Sequence, residues 1–281
     1  MISYSDLVRR FDTVRSFKVI KREIITNTFK EYTSRYDITD PKIRLKVEHT
    51  YRVAALTDEI TSDIASSFKM DAHDRDLAWA IGMLHDIGRF EQVKRYQTFW
   101  DSESVDHAEF GADLLFGGEF EKDPFLAFDF DVSEKNIIEK AIRNHNKYRI
   151  SEGLTEREIL FCNIIRDADK IDILKVNTDF TPEEIYGVTM DELLSSSITD
   201  AVMEAALEGH AVDRAIRRTP MDTVVSHASM MQELNFPISC RIVLGAGYLD
   251  TLLDKKVKDP ACARSLATIR EFIFKNLRSR C

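Results

Sequence analysis

Apolar residues recur at three- and four-residue intervals along most of the chain, which is the periodicity of helices that bury one face. Val14, Phe17, Ile24, Ile25, Thr28 and Phe29 predict a helix over Val14–Tyr36, and its basic face of Arg15, Lys18, Lys21 and Arg22 reads as solvated. Asp40-Pro41 marks the next start, because proline suits the first turn of a helix. From Lys42 to Phe68 one stripe carries Leu45, His49, Val53, Leu56, Ile60 and Ile64. A different pattern follows: Leu77, Ala78, Trp79, Ala80, Ile81, Met83 and Leu84 are apolar all round, so this helix is expected to be buried on every side, with Gly88 as its C-cap.

Beyond Gly88, the passage from Arg89 to Phe99-Trp100 reads as a loop or pocket wall. A helix from Ser104 aligns His107, Phe110, Gly111 and Leu114, whereas Phe116–Val132 is non-periodic and reads as a connection. Ser133 is the expected N-cap of a helix that runs to about Asn146, with Ile138, Ala141, Ile142 and His145 on one stripe. Phe161, Ile164, Ile165, Ala168 and Ile171 define another inward face. Four further helical stretches are expected over Met190–Glu208, Met221–Leu234, Ser239–Leu253 and Ala261–Leu277, punctuated by Gly209, Pro220, Pro237 and Pro260. The expected fold class is therefore all-α.

These patterns place charge where it is costly. His85 and Asp86 end a helix without a solvent face, and an unpaired buried carboxylate costs several kcal/mol. A bound cation would compensate it. His49, His85, His107 and His145, four of the seven histidines, fall on apolar helical surfaces. One such histidine is ordinary; four of them together with Asp86 point to a metal site. Mixed nitrogen and oxygen donors suit Mn, Fe, Co, Ni or Zn, and no thiolate is at hand for a structural zinc. In Arg166-Asp167-Ala168-Asp169-Lys170-Ile171-Asp172 three aspartates compete as ligands, and spacing alone does not choose among them. His73, His210 and His227 read as surface or structural residues.

Composition narrows the function class. A chain of 281 residues with 44% hydrophobic and 31% charged residues can build a large core. The net charge of −9 argues against a broad nucleic-acid surface, while leaving room for a small anionic substrate in a local basic pocket. Cys162, Cys240, Cys262 and Cys281 show no disulfide framework, the first residues lack an apolar leader, and no run reaches the length of a membrane span. A cytoplasmic protein without a membrane partner is expected.

His49, then His85-Asp86 after an apolar helix, then Ala168-Asp169-Lys170-Ile171-Asp172 resembles the H…HD…D signature of the HD-domain metal-dependent phosphohydrolase superfamily, and His107 and His145 resemble the extra histidines of its dinuclear branch. The resemblance implies an HD-domain-like helical bundle over residues 41–180, preceded by a helical segment, 1–40, and followed by a C-terminal helical extension, 181–281, packed on that core. It implies two divalent ions (Fe, Mn, Zn, Co, Ni or Mg), one held by His49, His85, Asp86 and Asp169, the other by His107, His145 and a shared Asp86. Asp167 and Asp172 then have supporting or structural roles. Arg89, about one turn past Asp86, and Lys170 are candidate phosphate contacts, joined more weakly by Arg143, Asn144, Asn146, Lys147, Tyr148 and Arg149. The implied function is hydrolysis of a phosphomonoester or phosphoanhydride of a nucleotide or similar small metabolite. Two alternatives use the same pattern differently: a mixed-valence diiron oxygenase acting on a small diol or phosphonate, or a silent nucleotide-binding module. The C-terminal third would either cover the site or build a homo-oligomer interface.

Overall fold

Helix α3, Ala72–Leu84, is the element around which the N-terminal half is built. In the structure, a computed structural model that describes residues 20–117 and 130–281, every residue of α3 from Leu77 to Leu84 except the half-buried Trp79 is buried. That all-round burial follows from its neighbours, because α1 (Arg22–Thr33), α2 (Pro41–Phe68), α6 (Val132–Asn144) and α7 (Glu156–Asp179) all pack against it. Among the described residues there are helices and no strands. The first part of the helix expected from Val14 and most of the connection expected over Phe116–Val132 lie outside those residues.

Local sequence explains where several helices start. Asp40 accepts from the Lys42 amide with Pro41 in the first turn, and Asp131 and Thr155 each form a reciprocal capping box with a glutamate three residues on. The cap of α6 is thus Asp131, not Ser133. Asp131 is the stronger acceptor, and Glu134 closes the box that Ser133 would have left open. Helix α5, His107–Phe116, likewise starts after its cap Asp106 and later than Ser104.

The larger correction concerns Gly88. Helix α3 ends at His85, Asp86 sits at φ −104°, ψ 16°, and a new helix α4, Ile87–Tyr96, starts at once. Gly88 is therefore in the first turn of α4 and caps nothing, and the passage expected as a loop is largely helical. The pattern that was overlooked is Ile87, Phe90 and Val93, all buried and three apart. Glycine is needed at 88 for a different reason: a Cβ there would lie 2.4 Å from the His107 carbonyl oxygen and 2.7 Å from the Gly111 nitrogen. Gly82 serves the α2–α3 contact in the same way, since its Cβ would lie 2.7 Å from the Ala54 Cα.

The C-terminal third consists of α8 (Pro182–Tyr186), α9 (Met190–Ser195), α10 (Asp200–Leu207), α11 (Pro220–Ser229), α12 (Pro237–Ala246), α13 (Tyr248–Leu253) and α14 (Pro260–Arg278). Two of the expected long helices are broken. Ser196–Thr199 separates α9 from α10, and Gly247, at φ 73°, turns the chain between α12 and α13. Helices α11, α12 and α13 pack on α7, and one buried apolar cluster extends from Ile20 to Leu277. No helix among the described residues is long and apolar enough to cross a membrane. Cys162, Cys240 and Cys262 are buried free thiols, and Cys281 is an exposed one.

Candidate metal centre

Two close helix crossings assemble the site. The α2–α3 contact at Gly82 sets His49 beside His85, with Nε2 atoms 3.3 Å apart. The α4–α5 contact at Gly88 brings His107 to Asp86, with Nε2 3.3 Å from Oδ1. His145, just past the end of α6, completes the second pair with its Nε2 3.0 Å from that of His107. Asp169 comes from α7, and its Oδ1 lies 3.2 Å from His49 Nε2 and 3.9 Å from His85 Nε2.

Asp86 stands between these groups, and its oxygens divide. Oδ2 faces His49 and His85, at 3.4 and 3.6 Å, while Oδ1 faces His107 and His145, at 3.3 and 3.7 Å. All four histidines and Asp86 are buried.

Every ring is held by its other nitrogen. His85 Nδ1 lies 2.8 Å from the Gly82 carbonyl and His145 Nδ1 2.7 Å from the Ile142 carbonyl, so each Nδ1–H donates backward along its own helix. His49 Nδ1–H donates to Asp172, at 2.6 Å, and His107 Nδ1–H to Asp101, at 2.7 Å. With Nδ1 engaged in this way, each ring directs Nε2 inward, where in the neutral tautomer it presents a lone pair. Lone pairs and carboxylate oxygens facing one another repel in a buried site, and a divalent cation is the partner that such a donor set fits. Groupings within coordination reach include His49–His85–Asp169 and His85–Asp86–His145.

Burial drives His85 down to about 3 and His107, with Arg89 adding, down to about 4, which keeps both rings neutral. His49 is the exception. Burial and Lys46 oppose its charge, yet it is raised, because Asp169 and Asp172 flank both of its ring nitrogens. Burial alone would raise Asp86, but the Lys46 ammonium above all, with the His145 contact adding, holds it well below the ordinary carboxylate range. Asp169 is lowered in the same sense by His49 and the other histidines.

The remaining predicted residues separate by what they touch. Asp172 supports His49 and is itself held by Arg52 Nε at 2.6 Å. Asp167 accepts from the backbone N–H groups of Asn235 and Phe236, so it ties α7 to the C-terminal third and takes no part in the cluster. Arg89 is largely committed: its Nη1 donates to Gln92, the Phe99 carbonyl and Asp101 at 2.9, 2.5 and 2.8 Å, while its Nε is buried without a partner, 3.8 Å from Asp86 Oδ1. Lys170 is turned to Glu233, whose carbonyl accepts from Nζ at 3.2 Å. Arg143 is occupied by Glu109, Asp113 and Glu139, Lys147 by Glu109, and Asn146 by Asp106. His73 is half-buried against Glu134 and is not a free surface residue.

Two site residues escaped the sequence reading. Lys46 Nζ lies 2.6 Å from Asp86 Oδ2, and its position one turn before His49 on α2 was the available signal. Asp101 orients His107 from a short 3-10 turn, Asp101–Glu103, and nothing in its sequence context distinguishes it from the other surface acids.

The cluster opens into a cleft of about 550 Å3 whose lining includes Lys46, Arg89 and Lys170 together with Arg214, Arg217 and His227 of the C-terminal third. His227 is therefore part of a cleft wall and not only packing.

The helices thus converge on a buried His/Asp cluster whose donors could hold metal ions. Residues 47–174, a little under half of the chain, match the family model described as HD domain. The matched segment contains all six candidate ligands. HD domains are generally those of metal-dependent hydrolases. No curated protein and no solved structure matches the chain significantly.

Proposed function

We propose that the chain is a metal-dependent phosphohydrolase that cleaves a phosphomonoester or phosphoanhydride of a nucleotide or similar small phosphorylated metabolite. The observation that carries the reading is the division of Asp86, with one carboxylate oxygen toward each histidine pair at the floor of a cation-lined cleft. His49, His85, Asp86 and Asp169 would hold one divalent ion, and His107, His145 and the other oxygen of Asp86 a second. Such ions, from among Mn, Fe, Co, Ni, Zn and Mg, supply a water of lowered pKa and neutralise phosphoryl charge.

The chain's own residues do the rest. Asp172 and Asp101 keep His49 and His107 in the tautomer that presents Nε2. Lys46 neutralises part of the carboxylate charge at Asp86, so that an anionic substrate meets less repulsion. The Nε of Arg89, buried without a hydrogen bond, lies 3.8 Å from Asp86 Oδ1, and the Phe99 ring packs against both Lys46 and Arg89 at 5.7 Å. Lys170 adds positive charge at the rim, shared with Glu233. We place the active protein in a reducing, cytoplasmic setting, which suits its free thiols. We divide it into an HD core, residues 41–180, and a covering extension, 181–281.

Metal analysis of the purified protein, followed by a panel of nucleotides and phosphoesters scored for phosphate release and oxygen uptake, tests the proposal. Metal-dependent phosphate release is the expected result. Turnover that consumes oxygen without hydrolytic phosphate release would replace it with the diiron oxygenase reading.

A further inference from the structure

The cleft that exposes the histidine cluster also has cationic lining from the C-terminal third. Arg214, in the 3-10 turn Arg214–Ile216, and Arg217, directly after that turn, line the same cavity as Asp86 and Asp169. Neither forms an ion pair among the described residues. The one donation made by Arg217 there is from Nε to the Arg214 carbonyl, at 3.3 Å.

Two carboxylates also line this cavity near the arginines, and both have other work. Asp213 accepts from the Ala215 amide at 2.8 Å and so caps the turn, while Glu233 sits 3.6 Å from Lys170 Nζ. Two guanidinium groups three residues apart on one short turn, one of them half-buried, repel each other unless an anion comes between them. The pKa of Arg217 is depressed by burial first and by Arg214 second, against the opposing charges of Asp213 and Asp222.

The wall behind the arginines is built rather than loose. Asn177 Oδ1 accepts from Tyr186 and from His227 Nδ1, the latter at 2.9 Å, and the Tyr186 and His227 rings stack at 5.8 Å. His227 is thereby fixed in orientation, and burial, with Arg217 and Arg214 adding, keeps its ring neutral.

The geometry points to Arg214 and Arg217 as a second anion subsite, and hence to a substrate that carries another anionic group, phosphate or carboxylate, besides the scissile phosphate. This inference rests on the phosphohydrolase reading and adds the substrate class to it. It also gives the C-terminal extension a role as the half of the cleft that selects the substrate.

The test uses the metal-loaded full chain. Its probes are linear alkanediol bisphosphates of increasing length, the corresponding phosphooxy-carboxylates, and alkyl monophosphates of matched length. Wild-type protein is expected to show a KM for at least one doubly anionic probe about tenfold or more below that of its monophosphate, as charge-assisted contacts allow. The bisphosphate and carboxylate arms tell which anion is preferred. The double replacement Arg214→Ala and Arg217→Ala should erase the preference through KM rather than kcat, with metal content and melting temperature unchanged, and Arg217→Lys should restore part of it. Equal KM values in wild type at every length, or a preference that survives the double replacement, overturns the subsite. If no probe releases phosphate, the hydrolase reading fails separately, and calorimetric binding of the same probes decides the subsite: a preference lost in the double variant supports it, and the absence of any preference refutes it.

Discussion

Asp86 has more demanded of it than any other side chain, because it is buried, charged and shared between two histidine pairs. Asp86→Ala is expected to empty both metal positions and abolish turnover, whereas His107→Ala should deplete one metal more than the other; metal-to-protein ratios measured on both variants check this, and equal retention would show a single-ion site. The supporting carboxylates can be tested apart from the ligands. Asp172→Asn and Asp101→Asn leave every candidate ligand in place but loosen His49 and His107, and metal affinity should drop by about 10- to 100-fold in each. Titration with a competing chelator measures it. His227 allows a stability prediction away from the cluster. Burial, with Arg217 and Arg214 adding, pushes it to about 3, so below its ordinary value of 6.5 the unfolded chain takes up a proton that the folded chain refuses. Its contribution is therefore flat above 6.5 and increasingly unfavourable as the pH falls toward 3. His227→Asn should flatten that part of the stability curve in urea melts at stepped pH; an unchanged slope would show that the ring is not kept neutral.

At the scale of elements, the crossings matter more than the helices themselves. Gly88 lets α4 touch α5 backbone to backbone, and that contact puts His107 next to Asp86. Gly88→Ala must push the two helices apart, since its Cβ would meet backbone atoms that no rotamer change can move. A loss of about 1–3 kcal/mol is expected from the overpacking. Loss of the His107–His145 metal should accompany it, with the His49–His85–Asp169 position less affected. Chemical denaturation paired with metal analysis reads both, and a stable variant with full metal content would contradict the role assigned to the crossing. The sequence reading identified the buried helix before this point and the stripe after it, but took Gly88 for a cap. Glycine ends helices and permits close approach with the same residue, and only a neighbouring chain distinguishes the two uses.

For the whole molecule, the helices that supply ligands are far apart in sequence, so a bound ion would cross-link α2, the α3–α4 junction, α5, α6 and α7. Chelator treatment should lower the melting temperature, and restoring metal at about 100 times its dissociation constant should return about 2.7 kcal/mol. A melting curve indifferent to metal would argue against the centre. The C-terminal third contributes to the lining of the cleft and ties itself to α7 through Asp167.

The all-helical build and the histidines that meet were legible in the sequence, because 3.6-residue periodicity and the cost of burying charge are local signals. Asp169 was chosen among three aspartates by resemblance, since helical spacing could not tell a carboxylate facing the cluster from one capping a neighbouring helix. Lys46, Asp101 and the cleft wall of Arg214, Arg217 and His227 were decided by tertiary structure alone. Polar residues like these leave no periodic trace, and their surroundings come from helices that are distant in the chain. His85 and Asp86 were marked from the start as charge inside a core; how the two oxygens of Asp86 are shared depended on two glycine-mediated crossings that no single stretch of sequence encodes.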